Sequence, residues 1–387
     1  MSTLKTIYLQ HLNGANTNAT LDANGNMTVT GTVCGASSNM FRNRIINGDM
    51  RIDQRNAGSA VNGNGGNKTH PVDRFYSAVY NTTGNTTGQQ SATAPTGFTN
   101  SLKISVQTAD TSVGSTDQVW YGQDIEGFNV ADLGFGAAGA SSITLSFWVY
   151  SNVTGTYCVT FKNSAENRGY TAEYTINSSN TWEKKTITVP GDTTGTWLTN
   201  NGTGLKIWFV LMAGSSQQTT ANTWNATSGS IGTSNQVNFM SSLSNAWYIT
   251  GVQLEVGTVA TPFERRMYGH ELALCQRYYW RLNSALASAT YSKYAFGYAS
   301  SGTTQYTVFM QLPIQMRSSP TLETSTVSGM NIYDGSSNMA ASAITIDQAS
   351  PWTVSLFVTV TGATTYRPGI LQSYNNNTSY IGFIAEL

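Results

Sequence analysis

A chain of 387 residues has room for roughly two or three domains, each with a sizeable core. Only 10% of it is charged, acids and bases cancel, and the pI is near 6.8, so it lacks the electrostatic footprint that grips a phosphate backbone and nucleic acid is not an expected partner. The opening MSTLKTIYLQ has no apolar core of signal-peptide length and no run of about 18 apolar residues occurs, so neither secretion nor membrane insertion is expected.

Ser, Thr, Asn and 37 glycines fill the polar positions. Short side chains with turn-forming Asn and Gly favour strands joined by tight turns over long helices, and the expectation is an all-β protein. Residues 1–40 read as an extended arm, because Leu21, Met27, Val29 and Val33 alternate with threonines too sparsely to close a core. Asn24-Gly25 within it is a hairpin-turn signal. An arm that cannot bury itself needs a partner surface or copies of itself.

From 41 to 266, short strands recur between Gly/Asn/Thr-rich turns, the pattern of a sandwich or jelly roll. Ile143, Leu145, Phe147 and Val149 share one strand face; Tyr157, Val159 and Phe161 share another. Leu205, Ile207, Phe209 and Leu211 repeat the device, as do Val252, Leu254 and Val256. These faces are expected to meet as an inter-sheet core. Trp148, Tyr150 and Trp208 project to the opposite faces, where a merely solvated strand carries Thr, Lys or Ser, so something should cover them.

After a Pro262-containing corner and Arg265-Arg266, Leu272, Cys275, Tyr279 and Leu282 recur at spacings of three and four, predicting a connecting helix over 267–282. Docking on a neighbouring sandwich is the expected fate of so short a stripe. The remainder, 283–387, reads as a second β domain. Tyr306, Val308, Met310, Leu312 and Ile314 share one face, and Val354, Leu356, Val358 and Val360 another. Pro320 and Pro351 mark strand entrances, and the final SYIGFIAEL reads as a strand that ends the chain inside the fold.

Several segments carry a specific likeness. ITGVQLEVG, TPFERR and ELALCQRYY, with FRNRIINGDMRIDQRNAG from Phe41 and PVDRFY at 71–76, resemble a family of fibre proteins from tailed phages, frequent among phages of marine bacteria including cyanophages. The likeness runs from Phe41 to about Arg281. It implies a carbohydrate-binding-module-like jelly-roll sandwich over 41–266, preceded by a virion-attachment arm. It also implies a homotrimer, in which three copies cover one another's apolar edges.

Catalytic constellations are sparse. A glycosidase needs two positioned carboxylates, and the local pairs are Asp124 with Glu126 and Asp49 with Asp53, each spaced to share a strand face. Asp53 lies between Arg51 and Arg55, and Asp73 precedes Arg74, so structural ion pairing is the expectation and no enzyme is predicted. His11, His70 and His270 are scattered, NGNGGN at 62–67 lacks the Lys-Ser/Thr of a phosphate loop, and there is no GxSxG. Cys34, Cys158 and Cys275, odd in number and far apart, read as buried reduced thiols rather than disulfides or metal ligands. No cofactor is expected; a structural calcium on Asp/Asn-rich loops is the one metal considered, without assignable ligands.

The expected function is a non-enzymatic tail-fibre or spike subunit of a virion, made in the host cytoplasm, that attaches to a host-surface glycan. Sugar rings stack C–H faces on aromatic side chains, while Asn, Gln and Thr bond hydroxyls without fixed charge. With 20 tyrosines and 9 tryptophans the chain suits that chemistry, and Trp148, Tyr150 and Trp208 are the candidate ligand platform. The arm would bind a tail or head protein. The rival expectation is an architectural head-decoration or tail-associated fibre that binds only other virion proteins.

Overall fold

The computed structural model describes residues 42–63, 68–226, 229–284 and 291–387, together with the backbone of three short strands nearer the start. Those strands, Ile7–Leu9, Ala19–Leu21 and Met27–Val29, form an antiparallel sheet. Leu21 pairs with Met27 across the segment holding Asn24-Gly25, which itself lies outside the described residues, as does Cys34.

Alternation of apolar and polar residues builds the first sandwich. Its six-stranded sheet runs, edge to edge, Glu183–Val189, Ile143–Ser151, Ala246–Val256, Ser101–Thr108, Asn85–Ser91 and Val61–Asn62. Its seven-stranded sheet runs Trp224–Asn225, Gly169–Ile176, Gly155–Lys162, Thr203–Ala213, Gln118–Glu126, Phe75–Tyr80 and Thr69–Val72. These strands pair antiparallel, and two isolated bridges, Thr156 with Gln236 and Gln218 with Gly232, are parallel. The predicted inward sets all enter one core, with Phe147 edge-on to Phe209 at 5.1 Å, and only Val256, at the end of its strand, stays exposed. Each such side chain taken fully out of water contributes about 1.5–3 kcal/mol.

The connecting helix is shorter than its stripe implied. It spans Tyr268–Gln276, and Tyr279 and Leu282 belong instead to a strand, Tyr279–Asn283. Tyr278-Tyr279-Trp280 is an aromatic run with strong strand preference, and it finds a ready partner: Tyr279 pairs with Ile384 and Trp280 stacks on Phe383 at 5.9 Å. The helix docks within the chain, where Cys275, Leu272 and Leu274 pack with Ile46, Ile52 and Tyr278.

Beyond it, a three-stranded sheet ordered Tyr279–Asn283, Tyr380–Ile384, Thr321–Thr324 faces a seven-stranded sheet around a second core. The inward residues of Gln305–Gln311 and Thr353–Thr359 lie in that core as predicted, whereas Ile314 falls past the end of its strand and is half-buried. Polar clamps join the two units. Arg277 donates both arms of its guanidinium to the Glu126 carboxylate at 2.9 and 2.6 Å. Glu386 is gripped by Arg74, by Arg55 at 3.1 Å and by His70 at 3.6 Å. Arg317 spans the seam, donating to the Asn201 carbonyl at 3.0 Å and to the Glu386 carbonyl at 2.8 Å. No helix among the described residues is long and apolar enough to cross a membrane.

Candidate functional site: an aromatic groove on the seven-stranded sheet

Strand Thr203–Ala213 is apolar on both faces because both faces are covered. Leu205, Ile207 and Phe209 enter the sandwich core, while Trp208 and Val210 form a second layer with Tyr76, Ala78, Trp120, Cys158 and Ile231. Gly122 makes this layer possible. It stands opposite Trp208, and a Cβ there would lie 2.1 Å from the Ile207 carbonyl oxygen and 2.7 Å from the Trp208 ring. Freed of that obstruction, Trp208 lies over the neighbouring strand and stacks on Trp120, centroids 4.0 Å apart and planes 17° from parallel.

Trp208 and Trp120 floor a concavity of about 290 Å³ walled by Tyr76 and Tyr80, with Gln118 and Asn81 among its polar lining. The floor is tied down by a relay. The Trp208 indole N–H donates to the Tyr76 hydroxyl at 3.2 Å, that hydroxyl donates to Asp124 at 2.6 Å, and Lys68 donates to the other Asp124 oxygen at 2.8 Å. Burial and the Asp124 charge raise the Tyr76 phenol well above its usual range, so it stays a donor. At the far rim Lys206 donates to Glu166 at 2.6 Å. Opposite, the Thr160 hydroxyl donates to the Ile231 carbonyl at 2.5 Å, drawing a loop over the Cys158 side of the layer.

The three aromatic residues predicted as one platform do not form one. Trp208 is on the seven-stranded sheet, whereas Trp148 and Tyr150 are on the outer face of the six-stranded sheet, across the whole core. Strands of different sheets point their outer faces in opposite directions, and sheet membership is set by non-local pairing. Trp208 is also only 3% exposed, the base of the groove rather than a free shelf. On the other face, Trp148 packs with Phe98 against Gly251, and Tyr150 sits between Trp182 at 5.5 Å and Tyr248 at 5.1 Å. That cluster is half-buried and forms no part of the groove.

The carboxylate pairs are spent on structure. Glu126 is held by Arg277 and by the Tyr278 hydroxyl at 2.7 Å, Asp124 belongs to the relay, and Asp49 pairs with Arg51 at 2.5 Å. Asp53 departs from the ion-pairing expectation. It caps a turn, accepting from the Asn56 and Gly58 amides at 2.9 and 2.7 Å. Asp73 accepts from Gln54 and faces Arg55, and burial pushes its carboxyl up to about 6. Arg74 goes not to Asp73 but to Glu386. Cys158 and Cys275 are buried free thiols, and no group of three or more His, Cys, Asp or Glu side chains placed to hold a metal ion occurs among the described residues. Trp120, Tyr76 and Tyr80 were missed by the sequence reading. Their signal was the alternation of Trp120 with Tyr121 and of Tyr76 and Tyr80 with Phe75 and Val79, where both faces of a strand carry rings.

No family model matches the chain, and no curated protein matches it. Solved structures with some likeness include the enzymatically active domain of tailspike protein 4 from bacteriophage CBA120, at 12% identity and TM-score 0.27 over 56% of this chain and 22% of that one. A family 11 carbohydrate-binding module of a Clostridium thermocellum cellulase is 9% identical at TM-score 0.27, over 51% of this chain and 96% of that one. TmCBM61 in complex with β-1,4-galactotriose is 9% identical at TM-score 0.27, over 56% and 99%. At these values the likeness assigns neither fold nor activity to this chain.

Proposed function

We propose that the protein is a non-enzymatic glycan-binding subunit of a phage particle, a tail fibre or spike that attaches to a host-surface saccharide through the groove on its seven-stranded sheet. The observation that carries this reading is the groove itself. Tyr80 supplies an accessible ring for a sugar C–H face above the buried Trp120–Trp208 stack, while Gln118, Asn81 and the lysine-carboxylate rim supply hydrogen bonds. Hydrolysis is not proposed, since the Asp124 and Glu166 carboxylates at the groove are each engaged by a lysine, whereas a glycosidase needs two carboxyl groups free to flank the scissile bond. The virion setting, the attachment of residues 1–40 to a tail or head protein and the homotrimer rest on the resemblance of the FRNRIINGD, TPFERR and ELALCQRYY segments.

Binding to a glycan array, followed by calorimetry on the best saccharide, tests the site. Tyr80→Ala, at a half-buried wall position whose loss leaves the Trp120–Trp208 stack in place, is expected to weaken binding about tenfold, roughly 1.4 kcal/mol. Tyr150→Ala is expected to leave it unchanged. The reverse pattern would move the site to the six-stranded sheet, and the absence of any saccharide ligand would favour the architectural reading.

A further inference from the structure

The groove carries a charge imbalance that its neutral composition conceals. Lys162 and Lys206 stand directly opposite each other on paired strands, and Lys206 stands opposite Asp124. Both ammonium groups lie over the same ring, 5.3 and 5.7 Å from the Trp208 centroid. Like charges directly opposite across a ladder repel. Two carboxylates serve the three lysines of this region: Asp124 takes Lys68 at 2.8 Å and Glu166 takes Lys206 at 2.6 Å. Lys162 is left over. It is 1% exposed, and its Nζ has no hydrogen-bond acceptor among the described residues. The Trp120 indole N–H, at the groove floor, is likewise buried without an acceptor. A buried ammonium without a counter-charge costs several kcal/mol, and natural sites that keep one usually have a partner for it. Burial, reinforced by Lys206 and opposed by Glu166, lowers the Lys162 ammonium to about 8, so at neutral pH most of it is still charged.

We propose that the groove selects an anionic saccharide, whose carboxylate or sulfate docks on Lys206 above the buried Lys162 ammonium while a sugar ring lies against Tyr80. Glu166 is the internal stand-in for that anion. Its side chain is 43% exposed, on a turn where its φ is +58°, and it holds only Lys206. Swinging it outward frees Lys206 for the ligand, whose charge then also faces the Lys162 ammonium beneath, and leaves the exposed carboxylate in water. The inference rests on the glycan-binding reading and adds its ligand class.

Calorimetry on the full chain with an oligogalacturonate, its neutral methyl ester and a sulfated oligosaccharide of the same length tests it. The acidic oligomer is expected to bind about tenfold tighter than the ester at low salt, an advantage that shrinks as ionic strength screens it. Lys162→Met, which keeps the stem and removes the charge, is expected to collapse the acid-to-ester ratio toward one. Glu166→Gln, at an exposed position that does not threaten folding, is expected to raise acid affinity several-fold. Preference for the sulfated oligomer over the uronate would support the anionic class and assign the sulfate. Equal binding of acid and ester, or a ratio untouched by both substitutions, overturns the anionic selection while leaving a neutral glycan site standing. Failure of all three saccharides, together with an empty glycan array, overturns both.

Discussion

Glu386 shows how much one side chain can hold. Burial opposes its ionisation, yet the guanidinium groups of Arg74 and Arg55 outweigh burial and keep the carboxyl down at about 2. Glu386→Gln would leave Arg74, itself almost wholly buried, facing an amide, and loss of one partner of a buried pair costs about 3–5 kcal/mol. A lowered urea midpoint, with near-ultraviolet circular dichroism showing which aromatic contacts survive, would check this. The same cluster sets an acid response. His70 is lowered by burial from 6.5 to about 3, and Glu386 by its arginine partners from 4.5 to about 2, so the unfolded chain binds more protons than the folded one at each, and stability is lost as pH is lowered through those windows. Asp73 acts oppositely. Raised from 3.8 to about 6, it binds more protons when folded, and its contribution grows as pH falls from 6 toward 3.8. The two effects offset in the upper range, so the urea midpoint is expected to change little between about pH 6.5 and 4 and to drop steeply below that. A steady decline from pH 6.5 downward would mean that Asp73 is not held protonated in the fold.

At the scale of strands and helix, the sequence was most legible where the environment alternates simply. Ile143 to Val149, Leu205 to Leu211 and Val354 to Val360 announced their buried faces because period-two spacing is a local property. Partnership between strands is not local. Nothing in SSITLSFWVYS or LKIWFVLMA says that one pairs with Ala246–Val256 and the other with Gln118–Glu126, and that choice decided which aromatic residues could share a surface. The helix was over-read for a related reason: Leu272, Cys275, Tyr279 and Leu282 fit period 3.6, but a strand from the far end of the chain captured Tyr279 and Leu282. The groove depends on one close approach between strands, which gives an element-level prediction. Gly122→Val would drive a side chain into the Ile207 carbonyl and the Trp208 ring. It is expected to break the Trp120–Trp208 stack, abolish saccharide binding and lower the thermal midpoint by several degrees, read from exciton-coupled circular dichroism and calorimetry.

For the whole molecule, the segments on which the virion proposal rests converge on the seam between the two units rather than on the groove. Asn47 of FRNRIINGD bonds the carbonyls of Ile52 and Asp73 at 2.8 and 2.9 Å, Arg266 of TPFERR reaches Glu271 at 3.3 Å, and Glu271 of ELALCQRYY accepts from the Asn47 amide at 2.6 Å. These segments therefore hold the architecture of the seam and contribute no residue to the groove lining. The C-terminal sheet adds an open surface: Phe296 and Phe309 stand opposite each other, both more than half exposed, with Tyr298 stacked on Phe309 at 6.3 Å. An exposed apolar face of this kind would be covered in the proposed homotrimer. Light scattering is expected to give three times the 41.6 kDa chain mass, and Phe309→Lys to reduce it. A monomer with residues 1–40 intact would remove the trimer from the proposal.

The strands that enter and leave the C-terminal unit, Tyr279–Asn283 and Tyr380–Ile384, are hydrogen-bonded neighbours. Everything between them begins and finishes at one spot, like a cassette plugged into a socket. Such an insert can be exchanged for another of different shape without re-threading the sandwich that carries it. Exchange of the intervening 284–379 is thus expected to leave the groove unaltered and to remove from the seam chiefly the contacts of Arg317.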